Sequence, residues 1–379
     1  MFGSLRLFLA FFVVFSHLVG TQYLQHFGFY AVRGFYVLSG FLMTAGLNDF
    51  YAFDARRFFT NRLLRLMPLY FVVCLLTLIA VVCLPAETST FIAQWNPHLL
   101  WRDAITNVLV LPVLHVEPHY RLIPTAWSLA VELEMYVVLF LFISRSEQHA
   151  MIALFFGLLY HAVCSYYDLP FGYRFFGAPS AVLAFSFGAL IYFYRKRGLL
   201  LDVTPTMGLA ALGIWVVGAL ATRMSYDDNA GYYTDTILFA VVVAGLANAE
   251  GGALARSVDR ALGEIAYPVF LVQWLTGFIT ALVIVPGVWR GWSLALASVP
   301  LTLVTAVVLA VINQRIIEPL RERIRRTPVD RPLVAGVQPQ PDYGAPICLP
   351  VPVLLNARER QEAAALPAFV LNKVQSASE

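Results

Sequence analysis

Long apolar stretches, each able to cross a bilayer and separated by short polar turns, set the pattern of this chain. A helical span needs about 20 apolar residues. Such runs lie near 5–24, 28–47, 67–84, 126–144, 150–166, 179–194, 205–222, 233–249, 265–285 and 294–314. Only the turn SRSEQ divides the fourth from the fifth. A further run, 104–114, is too short to span and is expected to be re-entrant. The pattern predicts an all-α polytopic membrane protein of about ten transmembrane helices, forming one domain over residues 1–320. The opening stretch MFGSLRLFLAFFVVFSHLVG reads as a retained first helix, since no A-x-A-like cleavage site follows it and His17 interrupts it at depth. No internal repeat is apparent, which weighs against transporters built from inverted repeats. From about Thr327 prolines multiply and periodicity fades, so 327–379 is expected to be a disordered cytoplasmic tail. Within it, NARERQEAAA could form a short helix.

Composition sharpens this picture. Of 379 residues 59% are hydrophobic and 13% charged, against about 25% charged in a soluble chain. Lipid must therefore be the solvent for most of the length, and the lipid bilayer is the first partner. The net charge of +3 is too weak to argue for nucleic acid. Cys74, Cys83, Cys164 and Cys348 show no paired spacing, so neither a disulfide framework nor a zinc site is indicated. With the N-terminus inside, the inner loops and helix ends carry Arg56, Arg57, Arg62, Arg65, Arg145, Arg195, Lys196, Arg197, Arg256, Arg260, Arg315, Arg321, Arg323, Arg325 and Arg326. The outer loops carry Arg102, Arg121, Arg174, Arg223 and Arg290. That imbalance predicts both termini to be cytoplasmic.

Polar residues inside such spans each need a reason. Arg6 and His17 are eleven residues apart on the first run, which returns the helix to within roughly 20° of one face after about 16 Å. One face thus offers a cation at the inner surface and an imidazole deep in the bilayer, a geometry suited to a long donor with an anionic head. The bland reading makes Arg6 a topology anchor and His17 a packing residue. In GFYVLSGF, Ser39 lies about as deep as His17, and Ser39-Gly40 is expected to let a neighbouring helix approach. Arg62 and Arg65 share a face just before the third run, as a phosphate clamp or as ordinary positive-inside flanking. Pro68 is expected to mark the start of the third helix. Ser128, Glu132 and Tyr136 form one polar stripe at i, i+4, i+8. Glu132 needs a partner at that depth, and a His17–Glu132 pair would orient the imidazole as a base, whereas pairing with an Arg is the structural alternative. His115, Glu117 and His119 alternate in an outer loop without a further ligand cluster, a poor signal, and no metal is predicted.

Together these segments resemble acyltransferase family 3, the membrane O-acyltransferases of bacterial surface and secreted glycans. The likeness rests on Arg6 and His17, FYVLSGF, Arg62-x-x-Arg65 with Pro68 and Tyr70, WSLAVELEMY, LGEIAYPVFLVQW and the closing Glu318-Pro319, in order over about 5–320. The resemblance implies a multi-pass protein of the bacterial cytoplasmic membrane with acyl-CoA, commonly acetyl-CoA, as cytoplasmic donor and a glycan hydroxyl as acceptor. It implies His17 as catalytic residue with Glu132 beside it, Arg6, Arg62 and Arg65 on the donor's phosphates, and Ser39, Ser128 and Tyr136 in support. Two positions depart from the pattern. Gln273 stands where many relatives have His, and Arg33 precedes GFY, where it is expected to meet an anionic acceptor. The resemblance also implies a stand-alone form or one served by a separate partner protein. The expected activity is O-acylation of a cell-surface or exported carbohydrate. The alternatives are a transporter or flippase of a small solute or lipid-linked sugar, in which Glu132 and His17 would relay protons, and an inactive member kept for a partner.

Overall fold

Each of the ten apolar runs becomes a helix, because a backbone in lipid must satisfy its hydrogen bonds within its own segment. The computed structural model describes residues 1–20, 22–95, 101–110, 121–200, 202–221 and 229–326. The helices are α1 (Phe2–Val19), α2 (Gln22–Ala45), α3 (Ala55–Cys83), α4 (Pro85–Phe91), α5 (Trp101–Leu109), α6 (Ala126–Leu141) and α7 (Glu147–Tyr166). They continue with α8 (Phe171–Phe175), α9 (Ala178–Lys196), α10 (Pro205–Ala221), α11 (Asn229–Ala247), α12 (Ala253–Val283), α13 (Trp292–Ile316) and α14 (Glu318–Arg326). No strand occurs among the described residues. Among the described residues six segments are long and apolar enough to cross a membrane: Phe2–Val19, Ala55–Cys83, Glu147–Tyr166, Phe171–Lys196, Ala253–Val283 and Trp292–Ile316. The short run at 104–114 is helical as α5, and 111–120, with His115, Glu117 and His119, lies outside the described residues, as does 327–379.

Small residues decide which helices touch. At Gly3 an added Cβ would stand 1.7 Å from the Asp259 carbonyl oxygen, and at Gly263 2.9 Å from the Gly3 Cα. At the other end a Cβ on Gly277 would meet Leu18 at 2.6 Å. Helices α1 and α12 therefore run parallel and in contact over the whole of α1. Asp259 ties the start of α1 further, accepting from Gly3 N, Ser4 N and Ser4 Oγ at 3.0, 2.9 and 2.6 Å, so a side chain from another helix satisfies N–H groups that α1 cannot. Helices α2 and α9 are also parallel, with Tyr36 beside Phe185 near the middle and Asp49 bonded to Tyr192 at the end. Gly40 packs against the Phe185 backbone, the close approach expected of it.

Helices α3 and α12 begin well before their apolar runs, at Ala55 and Ala253. Pro68 does not open the third helix but sits inside α3, which begins after the cap Asp54, whose carboxylate accepts from Arg57 N at 3.0 Å. The polar stretch before the apolar run is helical too. As a result Arg62 and Arg65 project from a rigid helix rather than from a loop.

Candidate functional site

Two cavities lie along α1, one near each end. The smaller, about 110 Å³, is lined by Arg6 from α1, Ser39 from α2, Arg62 and Arg65 from α3, Glu132 and Tyr136 from α6, and Tyr267 from α12. Three guanidiniums thus share one cavity with a single carboxylate among the residues lining it. Arg6 makes no hydrogen bond or ion pair among the described residues, although Glu132, Arg62 and Arg65 all act on it electrostatically. Arg62 is buried with its guanidinium over the rings of Tyr51 and Phe58, at 5.8 and 5.7 Å. Burying cations together is unfavourable without an anion, so the arrangement is suited to a polyanionic ligand such as a phosphate group. Glu132 is fixed through one oxygen, Oε1, which accepts from Ser39 Oγ at 3.1 Å and from Tyr136 Oη at 2.5 Å.

The larger cavity, about 450 Å³, is lined by His17, Thr125, Trp127, Gln94, Trp274 and Arg290 among others. His17 does not pair with Glu132. Its Nδ1 lies 3.1 Å from Gln273 Oε1, and its ring lies 5.1 Å from that of Trp274. The chemistry of Gln273 fixes the tautomer. Its amide nitrogen donates to the Phe270 carbonyl at 2.8 Å, an atom that can only accept, so its oxygen must be the end facing His17. That oxygen also only accepts. Nδ1 of His17 therefore carries the proton, and Nε2 keeps its lone pair. The wholly buried Gln273, which the sequence marked only as a departure, is the group that orients the imidazole.

Val32, Ser128 and Phe270 line both cavities, so the two adjoin. Ser128 lies at that junction, with its Oγ donating to the Thr125 carbonyl at 3.1 Å. Of the residues singled out from sequence, the structure gathers Arg6, Ser39, Arg62, Arg65, Ser128, Glu132 and Tyr136 around the smaller cavity and His17 and Ser128 around the larger. Arg33 lines neither. It is buried between α2 and α11, where Nε and Nη2 donate to Thr236 Oγ1 at 2.9 and 2.6 Å, beside Asp235, which accepts from Trp215. Arg290, which sequence reasoning counted only as an outer-loop charge, lines the His17 cavity. Burial depresses its guanidinium below the ordinary value.

A family model described as an acyltransferase domain matches residues 3–311 of the chain. No curated protein and no solved structure matches it.

Proposed function

The chain belongs to the acyltransferase family whose domain spans most of its length, and we propose that it moves an acyl group, acetyl first of all, from cytoplasmic acyl-CoA to a hydroxyl of a cell-surface or exported carbohydrate. The observation that carries this reading is the adjacency of a cavity bearing Arg6, Arg62 and Arg65 to a cavity bearing His17, with Val32, Ser128 and Phe270 common to both. A donor with an anionic head and a reactive thioester at its far end fits that sequence of chemistry. The phosphates engage the three guanidiniums, and the thioester extends toward His17.

In the proposed step Nε2 of His17 takes the proton of the acceptor hydroxyl. The oxygen attacks the thioester carbonyl carbon, the C–S bond breaks, and the departing CoA thiolate recovers the proton from His17. Gln273 keeps Nδ1 protonated throughout and so keeps Nε2 available. Glu132, held by Ser39 and Tyr136, offsets part of the charge around Arg6. The reaction belongs in the bacterial cytoplasmic membrane, with the basic cavity on the cytoplasmic side.

Purified protein in lipid nanodiscs, supplied with acetyl-CoA and membrane glycans, tests the reading by acceptor-dependent CoA release. His17→Ala is expected to lower the rate by on the order of 10²–10⁴-fold, the usual contribution of a general base. Equal rates for a properly inserted His17→Ala protein would exclude the imidazole as base. Solute uptake without any CoA release would favour transport instead.

A further inference from the structure

The cavity around His17 holds more unspent hydrogen-bonding capacity than an apolar chain segment needs. Among the described residues, Trp274 Nε1, Thr125 Oγ1 and Gln94 Oε1 are buried without hydrogen-bond partners, and all three residues line this one cavity. Buried polar atoms of a folded protein are nearly always paired, so three orphans around one space call for a ligand that pairs them. They comprise a donor, a hydroxyl that can do either, and an acceptor, a mixture that matches the hydroxyls of a sugar. The Trp127 ring and the half-buried Phe29 and Phe176 add aromatic surface to the same space.

Arg290 adds charge. It donates to the carbonyls of Trp289 and Phe91, and its guanidinium lies 4.7 Å from the Phe91 ring and 5.2 Å from that of Trp274. No carboxylate pairs with it among the described residues. A Cβ on Gly20 would meet its side chain at 2.9 Å, which places Arg290 against the C-terminal end of α1. Arg6 is fourteen residues away on that helix, about 20 Å at the α-helical rise. The two cations therefore cannot clamp the same phosphate group.

Resting on the acyltransferase reading above, we infer that the His17 cavity is the acceptor subsite and that its acceptor is an acidic glycan unit, with hydroxyls on Trp274, Thr125 and Gln94 and its acid group on Arg290. The acid is a carboxylate of the sugar or a phosphate esterified to it, since a guanidinium recognises both through paired N–H donors. Membranes containing the full chain are incubated with acetyl-CoA labelled in the acetyl group, and the labelled product is passed over an anion exchanger. Retention of the label is expected. Loss of retention after carbodiimide-driven amidation identifies a carboxylate, and loss after cold hydrofluoric acid, which cleaves phosphate esters, identifies a phosphate. Arg290→Gln should raise KM for the isolated acceptor on the order of 10–100-fold with kcat little changed, the loss of a charge-assisted pair. Thr125→Val should raise it by a smaller factor, and thermal unfolding reports that each variant is folded. A labelled product that is neutral, or an Arg290→Gln protein with unaltered KM or only a lowered kcat, overturns the inference while leaving acyl transfer intact. Absence of any labelled product in the unsubstituted protein defeats the acyltransferase reading and this inference with it.

Discussion

A histidine that takes a proton needs its receptive nitrogen chosen beforehand, and at His17 one amide makes the choice. Because Gln273 is itself fixed by the Phe270 carbonyl, rotating the amide to favour the other tautomer would set two like groups against each other. Replacing Gln273 with Ala frees the ring to adopt either tautomer and to turn. The expected result is a kcat lower by about tenfold, the worth of one hydrogen bond of ~1.4 kcal/mol, with KM for acetyl-CoA unchanged because the donor's cations lie in the other cavity. Gln273→His should restore most of the rate, since an imidazole nitrogen can accept from Nδ1 as the amide oxygen does. Unchanged kcat in Gln273→Ala, measured by CoA release, would remove Gln273 from the mechanism. The same residue marks how far sequence reading reached. The eleven-residue spacing of Arg6 and His17 told which face they share but not which helices that face meets. A His17–Glu132 partnership looked natural because both are ionisable at depth, yet Glu132 bonds Ser39 and Tyr136, its stripe neighbour, beside Arg6. Arg33 gave no sign in its local sequence of the α11 residue that holds it, since that contact spans about two hundred positions.

Helices were legible wherever lipid sets their length. Each apolar run of span length fell on one helix because the requirement for internal backbone bonding leaves no other choice. The extensions beyond lipid were not legible: α3 starts well before its apolar run, and a proline was mistaken for its first turn because Pro in either place lacks the same N–H. Nor was α14, whose nine residues read as simple basic flanking. In the structure it buries Glu318 and Arg321, an ion pair at i, i+3, and Arg321 Nη2 donates to Asn61 Oδ1 at 3.1 Å, one residue before Arg62. The closing Glu318-Pro319 motif thus serves the helix that carries Arg62 and Arg65. Glu318→Ala leaves Arg321 buried with its carboxylate partner removed and is expected to cost about 3–5 kcal/mol. Paired replacement of Glu318 and Arg321 by Leu removes both charges and should cost much less. Thermal unfolding in detergent separates the two outcomes, and equal losses from both proteins would mean that shape rather than charge holds α14 against α3.

At the scale of the whole molecule the two cavities define a direction across the membrane. Neighbouring helices have the senses that an alternating path requires. The first and ninth apolar runs, α1 and α12, are parallel, and so are the second and sixth, α2 and α9. Consecutive runs are antiparallel: Gly208 packs on Gly245 while Trp215 reaches Asp235, and Gly157 packs on Leu183 while His161 reaches Ser180. Six segments of the described residues are long and apolar enough to cross, and shorter or more polar helices such as α6 with its Glu132 lie among them. The proposed function requires the Arg6 cavity to open toward the cytoplasm, where acyl-CoA is found. Tyr167 directly follows the C-terminal end of α7, Leu199 follows that of α9 shortly after Lys196, and they are 68% and 64% exposed, which makes them good reporters. In a chain whose own cysteines are replaced, Tyr167→Cys should react with an impermeant maleimide on intact cells, whereas Leu199→Cys should react only after the membrane is opened. Reversed labelling would put Arg6, Arg62 and Arg65 on the outer side, away from the donor, and the His17 cavity on the inner side, away from an exported acceptor. Acyl transfer between the two compartments would then run against both substrates, and the assignment of donor and acceptor cavities would have to be exchanged or abandoned.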